Sequence, residues 1–273
     1  MIDGVEDVQL KSFADMVLAT YSYDFRGYAK ASLKRRIKTA LNQLGELEFD
    51  VFQERVAKDP AFFSRVFQYL TVSTTEMFRD PWFYAAFRKE VIPFLRTYPS
   101  FRIWIAGCST GEEFYSYAII LEEEGLLDRA TIYATDLNQE NLRRVERGIY
   151  SLERAKLYSE NYLKTGGSSS LSDFYHADYD GIIMDQRLKR NAVFADHCLI
   201  TDNVFTEAQY VSCRNVLIYF EKAQQERALR LFRDSLSPRG FLGLGTKESL
   251  RFSETGVDFE AVPNTPSIYR RKH

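Results

Sequence analysis

The sequence is poor in cysteine and histidine, with three of each among 273 residues. The cysteines, Cys108, Cys198 and Cys213, are far apart and include no Cys-x-x-Cys pair. This spacing excludes a disulfide framework and a zinc knuckle. We therefore expect a reduced, cytoplasmic protein.

Long apolar runs and an excess of one charge are also missing. No segment approaches the ~18 apolar residues of a membrane-spanning helix, and residues 1–7 are acidic, unlike a secretory signal. The 36 basic and 38 acidic residues nearly balance, so bulk attraction to nucleic acid is not expected. Hydrophobic residues make up 45% of the chain and charged residues 27%, which is typical of a globular protein. The composition predicts a soluble chain without nucleic-acid partners or membrane insertion.

The first part of the chain has the periodicity of helices. Apolar residues recur at three- and four-residue spacing from Leu33 to Leu44, and Gly45 is a suitable C-cap. No strand pattern interrupts this part, so residues 1–90 are predicted to form an all-helical domain. Its other predicted helices cover residues 48–57, 61–70 and 81–90.

From residue 91 onward, strands alternate with helices. This alternation predicts an α/β domain with a doubly wound parallel sheet over residues 91–273. Residues 151–196 break the rhythm and contain a Gly/Ser loop predicted to be flexible, so they are interpreted as an insertion with two short strands within residues 181–195. The predicted strands are 102–106, 131–135, 210–213, 241–244 and 267–271, and the predicted helices are 112–124, 140–147 and 223–236.

The most informative motif is R-I-W-I-A-G-C-S-T-G-E-E, residues 102–113. A strand enters a turn of small residues, in which Gly107 and Gly111 permit tight folding and close approach by a ligand. An ordinary strand-to-helix turn remains an alternative, because the spacing is not the dinucleotide pattern G-x-G-x-x-G.

An acid ends the next strand. Asp136 is placed to accept the two hydroxyls of an adenosine ribose, although it could instead cap the helix that starts near Asn138. A glycine turn with such an acid fits a dinucleotide or S-adenosylmethionine. Glu112 and Glu113 favour the second ligand, because acids at a helix N-terminus repel a pyrophosphate and tolerate a sulfonium and an ammonium.

Several blocks resemble the chemoreceptor glutamate methyltransferases of the CheR family. They are C-S-T-G-E-E, A-T-D, C-R-N-V-L-I-Y-F, S-P-R-G and the segment S-T-T-E-M-F-R-D that begins at residue 73. The resemblance spans roughly residues 24–271. It implies a helical substrate-recognition domain, a class I methyltransferase sheet and a small inserted antiparallel β-subdomain at about residues 162–197.

The same resemblance implies S-adenosylmethionine as cofactor and S-adenosylhomocysteine as product. Two positions depart from the family pattern, since Ser73 and Cys198 stand where many members have asparagine. Cys198 loses side-chain hydrogen bonding there, and its backbone would remain to hold the adenine edge. The cofactor-binding residues implied or suggested by the motifs are Ser73, Thr75, Arg79, Gly107, Glu113, Asp136, Cys198, Leu199, Arg214 and Asn215.

The implied activity is O-methylation of chemoreceptor glutamates during chemotactic adaptation. A glutamate has a pKa of ~4.3 and is ionised at neutral pH, so no general base is needed. This agrees with a chain whose histidines all lie outside the motifs. Arg79 is predicted to orient the carboxylate through its forked guanidinium, unless it only pairs with Asp80 or Glu76. Tyr219 is the second catalytic candidate, unless it is an aromatic residue of the core.

A basic block is predicted to meet the substrate. Residues 26–38 contain six basic residues and no acid, which complements glutamate-rich receptor helices. The helical wheel places Arg35 toward solvent and Arg36 beside the buried face, and the resemblance assigns substrate recognition to Arg36. A receptor C-terminal tail could dock on the β-subdomain.

Two alternatives remain open at this point. An RNA methyltransferase would need an N-P-P-Y-like motif, a cysteine pair or aromatic stacking groups, and none is visible. The second alternative is a non-catalytic module that binds S-adenosylhomocysteine. The presence of Arg79 and Tyr219, the two catalytic candidates, disfavours it.

Overall fold

The computed structural model describes residues 5–45, 48–71, 74–179 and 181–273. The chain divides into two compact units, residues 1–72 with 218–228 and residues 73–217 with 229–273. This division differs from the boundary predicted at residue 90, and residues 218–228, predicted within the second domain, join the first unit.

Helices make up the first unit. Helix α2 buries the apolar stripe predicted from its spacing and ends at Gly45, whose φ of 76° is that of a left-handed C-cap. Helix α1 was not predicted, and its capping box joins Glu6 to Gln9. The helices are α1 (Asp7–Tyr21), α2 (Lys30–Leu44), α3 (Phe49–Lys58) and α4 (Pro60–Leu70).

The second unit begins with a helix that changes its winding. One helix was predicted over residues 81–90, whereas the structure has α5 (Pro81–Ala86), a π-helical turn (Phe87–Val91) and α6 (Ile92–Arg96). Pro93 has no N–H to donate and its ring would crowd the carbonyl one turn earlier. A π-turn just before it removes that conflict.

A mixed seven-stranded sheet forms the centre of the second unit. The strand order is β6-β2-β1-β7-β8-β10-β9, with parallel pairing from β6 to β8 and antiparallel pairing of β10 with β8 and β9. Its strands are β1 (Phe101–Ala106), β2 (Ala130–Asp136), β6 (Ala192–Asp196), β7 (Ala208–Cys213), β8 (Leu236–Leu244), β9 (Phe259–Ala261) and β10 (Ile268–Arg271). The longer helices that follow strands are α7 (Glu112–Glu123), α8 (Gln139–Arg147), α9 (Ala155–Lys164) and α10 (Lys222–Ser235), the last of which crosses the division between the units.

A small antiparallel sheet is present, with different limits from those predicted. It has the order β3-β5-β4, from β3 (Ile149–Tyr150), β4 (Tyr175–Asp178) and β5 (Gly181–Met184). The predicted insertion at 162–197 is wrong at both ends: β3 precedes it, and β6 pairs in parallel with β2 as an edge of the large sheet. The short, half-exposed strand β6 lacks the apolar run that marks a buried parallel strand.

The Gly/Ser loop contacts a buried carboxylate of α7. The carboxylate of Glu123, with a side chain 5% exposed, accepts from the Ser168 N–H at 3.0 Å and from the Ser168 hydroxyl at 3.2 Å. The hydroxyl of Tyr162 also donates to it. A buried carboxylate requires such partners, so these contacts attach Ser168 to α7, and the flexibility of the loop stays a prediction.

Within the described ranges, no helix is both long and apolar enough to cross a membrane.

Candidate cofactor site

The site lies where the order of the large sheet reverses direction. From β1 the chain moves outward to β2, and after β6 it crosses to β7 on the other side of β1. Ligands of open α/β sheets bind beyond the carboxyl ends of the strands at such a switch point. The loops that follow β1, β2, β6 and β7 therefore carry most of the candidate cofactor residues, and those residues, the last of which is Asn215, belong to the second unit.

The turn after β1 is tight and depends on glycine at position 107. Gly107 has a φ of 75°, and a Cβ there would lie 2.6 Å from Val216 Cγ2. The N–H groups of Gly107 and Cys108 both donate to the Thr135 carbonyl, at 2.8 and 2.9 Å. Among the described residues, the buried Ser109 hydroxyl has no hydrogen-bond partner. The turn thus places the backbone of Gly107, which carries no side chain, and the Ser109 hydroxyl, which has no partner among the described residues, at the switch point.

Asp136 ends β2 as predicted, and three donors fix its carboxylate. Ser109 N–H lies 2.8 Å from Oδ2, while Asn138 N–H and Asn141 Nδ2 lie 2.9 and 3.1 Å from Oδ1. Burial raises the pKa of Asp136, and these hydrogen bonds act to lower it. A carboxylate has about four acceptor positions, so one remains for a ligand hydroxyl.

The capping alternative for this acid does not hold. Helix α8 is capped by Asn138, whose side chain accepts from the Glu140 N–H at 3.0 Å. Asp136 instead receives the Asn138 N–H. Asp136 therefore does not cap α8 with its side chain, and its contact with the ribose hydroxyls stays a prediction.

The two acids that begin α7 have different surroundings. Glu112 is 4% exposed and accepts from the Thr110 hydroxyl at 2.6 Å, and burial raises its pKa. Glu113 accepts from the Ser212 hydroxyl at 2.6 Å and lies 3.5 Å from the Arg214 guanidinium. Burial raises the pKa of Glu113, whereas Arg214, Ser212 and Arg79 act to lower it. Thr110, Tyr158 and Arg154 act to lower the pKa of Glu112 in the same way, so both acids have donors and a cation nearby, and Arg214 is the cation next to Glu113.

Arg214 turns toward the segment before α5. Its Nη2 donates to the Arg79 carbonyl at 2.8 Å and to Asp80 Oδ2 at 2.9 Å. Its Nη1 donates to the Tyr84 hydroxyl at 3.2 Å, and the guanidinium carbon lies 4.1 Å from the Phe83 ring centroid. With a side chain 1% exposed, Arg214 forms a buried ion pair, so a cofactor contact would fall to its backbone.

The loop after β7 is held by a buried acid. Asn215 has a φ of 61°, and its N–H donates to Glu248 Oε2 at 2.9 Å. The Gly245 N–H donates to the same oxygen at 2.7 Å. This arrangement fixes the backbone of Asn215 in the left-handed region, which asparagine tolerates better than most residues.

The segment before α5 is fixed through its backbone. Arg154 donates to the Thr75 carbonyl at 2.9 Å, and the Phe78 N–H donates to the Ser116 hydroxyl at 2.8 Å. Phe78 and Asp80 have φ values of 54° and 57°, a conformation that persists in such residues only where surrounding contacts impose it. Ser73, a predicted cofactor residue, lies outside the described residues.

Arg79 is the arginine of this segment, and few contacts constrain its side chain. Its side chain is partly exposed and donates to the Thr74 carbonyl at 3.4 Å. In the described part of the chain it forms no ion pair, so it pairs there with neither Asp80 nor Glu76. Its charge nevertheless reaches Glu113, whose pKa it helps to lower.

The loop after β6 brings the last predicted cofactor residues to this edge. The Cys198 N–H donates to Asp202 Oδ2 at 2.8 Å, and Leu199 is buried. His197, just before them, packs between the Trp104 and Phe205 rings, each at 5.2 Å between centroids. The Cys198 thiol is free and half-buried.

The other predicted residues belong to the first unit. Arg35 is exposed, whereas Arg36 is 5% exposed, with its guanidinium carbon 4.3 Å from the Tyr219 ring centroid. Arg36 also donates to the Leu70 carbonyl. Burial lowers its pKa. Sequence analysis expected Arg36 beside the buried face, and the structure encloses it.

Several residues that shape the site were not predicted. Ser212, Asp80 and Glu248 bind Glu113, Arg214 and Asn215 respectively. Only Asp80 lay in a block that the sequence analysis had singled out. Ser212 lies between apolar residues of a strand and Glu248 lies in the polar stretch T-K-E-S, and no local pattern marks either residue.

These features fit S-adenosylmethionine better than a dinucleotide. The acids at the start of α7 disfavour a pyrophosphate and suit a cationic ligand. Asp136 offers an acceptor for a ribose hydroxyl, and the buried Ser109 hydroxyl has no partner among the described residues. In the described ranges, no group of three or more His, Cys, Asp or Glu residues could hold a metal ion. Fold and site together define a class I S-adenosylmethionine-dependent methyltransferase.

Comparison with known proteins identifies the family. The CheR methyltransferase SAM-binding domain matches residues 73–267, and the CheR all-alpha domain matches residues 9–71. A protein named as the methyltransferase Cher3 of Pseudomonas putida is 52% identical over 265 residues, covering 97% of both chains. A chemotaxis protein methyltransferase of Listeria monocytogenes is 28% identical over 87% of this chain and 88% of its own length. This chain therefore belongs to the CheR methyltransferase family, and it binds S-adenosylmethionine.

Proposed function

We propose that this protein transfers a methyl group from S-adenosylmethionine to glutamate side chains of bacterial chemoreceptors. The observation that carries the proposal is the match of both family domains, in order, along one chain. Relatives named chemotaxis protein methyltransferase align over most of their length. The proposal places the protein in the cytoplasm, where receptor signalling helices lie.

The second unit would hold the cofactor by its polar groups. Asp136 would accept a ribose hydroxyl, and Glu113 would face the cationic methionine end. Thr75, Ser73 and the backbones of Cys198, Leu199, Arg214 and Asn215 are proposed as further contacts. When bound, S-adenosylmethionine supplies an electrophilic methyl group on a sulfonium.

The remaining task is to orient an ionised nucleophile. A substrate glutamate has a pKa of ~4.3, so its oxygen attacks without losing a proton, and no general base is needed. Arg79 is proposed to hold that carboxylate by a forked contact. Its freedom from ion pairs in the described part of the chain supports this role. Tyr219 is a second candidate for a contact near the reacting groups.

Substrate recognition is proposed for the exposed basic side of α2. Arg35 and its neighbours carry charge opposite to that of a glutamate-rich helix. Arg36, being enclosed, would act through Tyr219 or after a change of side-chain position. A receptor tail is proposed to dock at the β3-β5-β4 sheet.

The decisive experiment measures the chemical form of the product. The protein is incubated with methyl-labelled S-adenosylmethionine and a receptor cytoplasmic fragment, and alkali is then added. Glutamate esters release labelled methanol, and we expect this release. Label retained on added RNA would favour an RNA methyltransferase, and binding of S-adenosylhomocysteine without any transfer would favour a non-catalytic module.

A further inference from the structure

Three buried hydroxyls form a line that ends at Glu113. The Tyr210 and Tyr117 hydroxyl oxygens are 2.7 Å apart, and Tyr117 lies 2.9 Å from Ser212 Oγ. The Ser212 hydroxyl donates to Glu113 Oε1 at 2.6 Å. All three hydroxyl residues are fully buried. None is needed to form the cofactor turn, so the line calls for another explanation.

The Glu113 carboxylate at the end of the line determines which group donates and which accepts in each hydrogen bond. An ionised carboxylate only accepts hydrogen bonds, so Ser212 must donate to Glu113. Ser212 has one proton, so it accepts from Tyr117, and Tyr117 in turn accepts from Tyr210. Burial raises the pKa of both tyrosines, so they remain protonated donors. Each donor polarises the next, which strengthens the last bond.

The surrounding residues keep the hydroxyls in place. The Tyr117 ring packs against Tyr84 and Phe87, with centroids 5.4 and 4.9 Å apart. The Tyr210 hydroxyl fills space beside Gly243, where a Cβ would lie 2.3 Å from it. The absence of a side chain at Gly243 is thus a condition for the line.

We propose that Tyr210, Tyr117 and Ser212 are positioning residues that keep the Glu113 carboxylate ionised and aimed at the cationic methionine end of the cofactor. The inference rests on the proposed cofactor role of Glu113. It assigns a task to three fully buried residues.

The other charges around Glu113 act on the same equilibrium. Arg214 and Arg79 favour the ionised form, and burial and Asp80 oppose it. Tyr84, Cys108 and Cys213 also sense its charge, and burial raises the pKa of each, so all three stay neutral. The hydroxyl line is the donor set that can be removed without removing a charge.

The test measures the pH dependence of S-adenosylhomocysteine affinity by calorimetry, between about pH 5 and pH 9. Hydrogen bonds to an ionised group lower its pKa, so their loss raises it and weakens binding on the acid side. In Ser212→Ala, the pH below which affinity falls should rise by about one unit. Affinity should therefore be about tenfold lower than that of the parent protein at acid pH and equal to it at alkaline pH. Tyr117→Phe should raise this pH less, and Tyr210→Phe least.

Tyr115, two residues before Tyr117 on α7, provides a matched control. The Tyr115 hydroxyl is also buried but donates to the Val145 carbonyl at 2.8 Å. Tyr115→Phe should lower thermal stability about as much as Tyr117→Phe while leaving the pH profile unchanged. In a Glu113→Gln background, Ser212→Ala should no longer change the pH profile.

The outcomes separate the two proposals. If the parent protein binds S-adenosylhomocysteine and the three variants share the pH profile of Tyr115→Phe, the hydroxyl line has only a structural role and the inference is overturned. If the parent protein does not bind S-adenosylhomocysteine at any pH, the proposed cofactor site itself fails.

Discussion

Each unit of the molecule encloses an arginine, and the two are held in opposite ways. Arg214 in the second unit meets Asp80 at 2.9 Å and Glu113 at 3.5 Å. Arg36 in the first unit has no carboxylate partner among the described residues, and its Nε and Nη2 make no hydrogen bond there. Burial acts to lower the pKa of both, but the charged and phenolic groups around Arg214 raise it overall, whereas that of Arg36 is lowered.

The difference in partners indicates what each buried arginine does for the stability of the protein. Removing one partner of a buried ion pair strands the other, which is strongly destabilising. A buried cation without a counter-ion is unfavourable, and the Tyr219 ring 4.3 Å from the Arg36 guanidinium carbon offsets only part of that cost. The comparison gives Arg214 a structural role, and it supports the proposal that Arg36 takes part in substrate recognition.

Removing the paired arginine should have the largest effect. Arg214→Ala leaves Asp80 and Glu113 without their cation, and we expect the free energy of unfolding to fall by about 3–5 kcal/mol. Urea unfolding followed by circular dichroism measures it. Arg143→Ala is the control, because Arg143 forms an exposed pair with Glu140 at 3.2 Å and should cost less than about 1 kcal/mol. Equal losses in the two variants would contradict the contrast.

Arg79 extends the comparison to an arginine that is partly exposed and free of ion pairs in the described ranges. Arg79→Ala should lower kcat by about two orders of magnitude, on the order of 3 kcal/mol, if it orients the substrate carboxylate in the transition state. Steady-state methylation of a receptor fragment gives kcat, and calorimetry gives cofactor affinity. A parallel fall in both would make Arg79 a cofactor-binding residue only, and full activity would remove it from the site.

Much of the second unit could be predicted because its signals are local. The strand, turn and helix around Gly107 and the acid at Asp136 follow from spacing and residue type. Ser212 and Glu248 could not be found this way, because their partners are more than thirty residues distant in sequence. The direction of the Arg214 side chain was missed for the same reason, since its acceptors lie around residue 80.

The first unit shows the limits of the helical wheel. The wheel placed Arg35 and Arg36 on the correct sides of α2, but it could not show that Arg36 is enclosed by Tyr219. That contact joins residues far apart in the sequence, brought into one unit by the segment 218–228. Strand β6 was misassigned because its partner β2 lies fifty or more residues earlier.

The Asp136→Ala variant tests the proposed cofactor site, and its expected effect is intermediate among these predictions. Asp136→Ala should weaken S-adenosylmethionine binding by about 1.5–3 kcal/mol through loss of a charge-assisted hydrogen bond. Asp196 makes a close control, since it stands opposite Asp136 in the register of β6 and β2 and is exposed. Calorimetry on both variants decides: unchanged affinity in a folded Asp136→Ala protein would refute the ribose contact.

Arg36 should behave in the opposite sense to Arg214. Arg36→Met keeps the bulk and removes the unpaired charge, so the free energy of unfolding should stay constant or rise by about 1 kcal/mol. Receptor methylation should fall. Arg55→Met is the control, because Arg55 also lies over a ring, that of Phe62 at 4.1 Å, but is exposed. A loss of stability as large as that of Arg214→Ala would show that Arg36 is structural after all.

Arg35 should give the smallest effect, and one that depends on salt. Because it is exposed, Arg35→Glu should leave the fold and cofactor affinity unchanged and slow encounter with a glutamate-rich helix by up to about tenfold at low ionic strength. At about 1 M salt the Debye length is near 3 Å, and the difference should vanish. Arg65→Glu, an exposed arginine on α4 outside the basic block, should change the rate less. If Arg35→Glu and Arg65→Glu slow methylation equally, net charge alone governs the encounter, and the basic side of α2 has no special part in meeting the substrate.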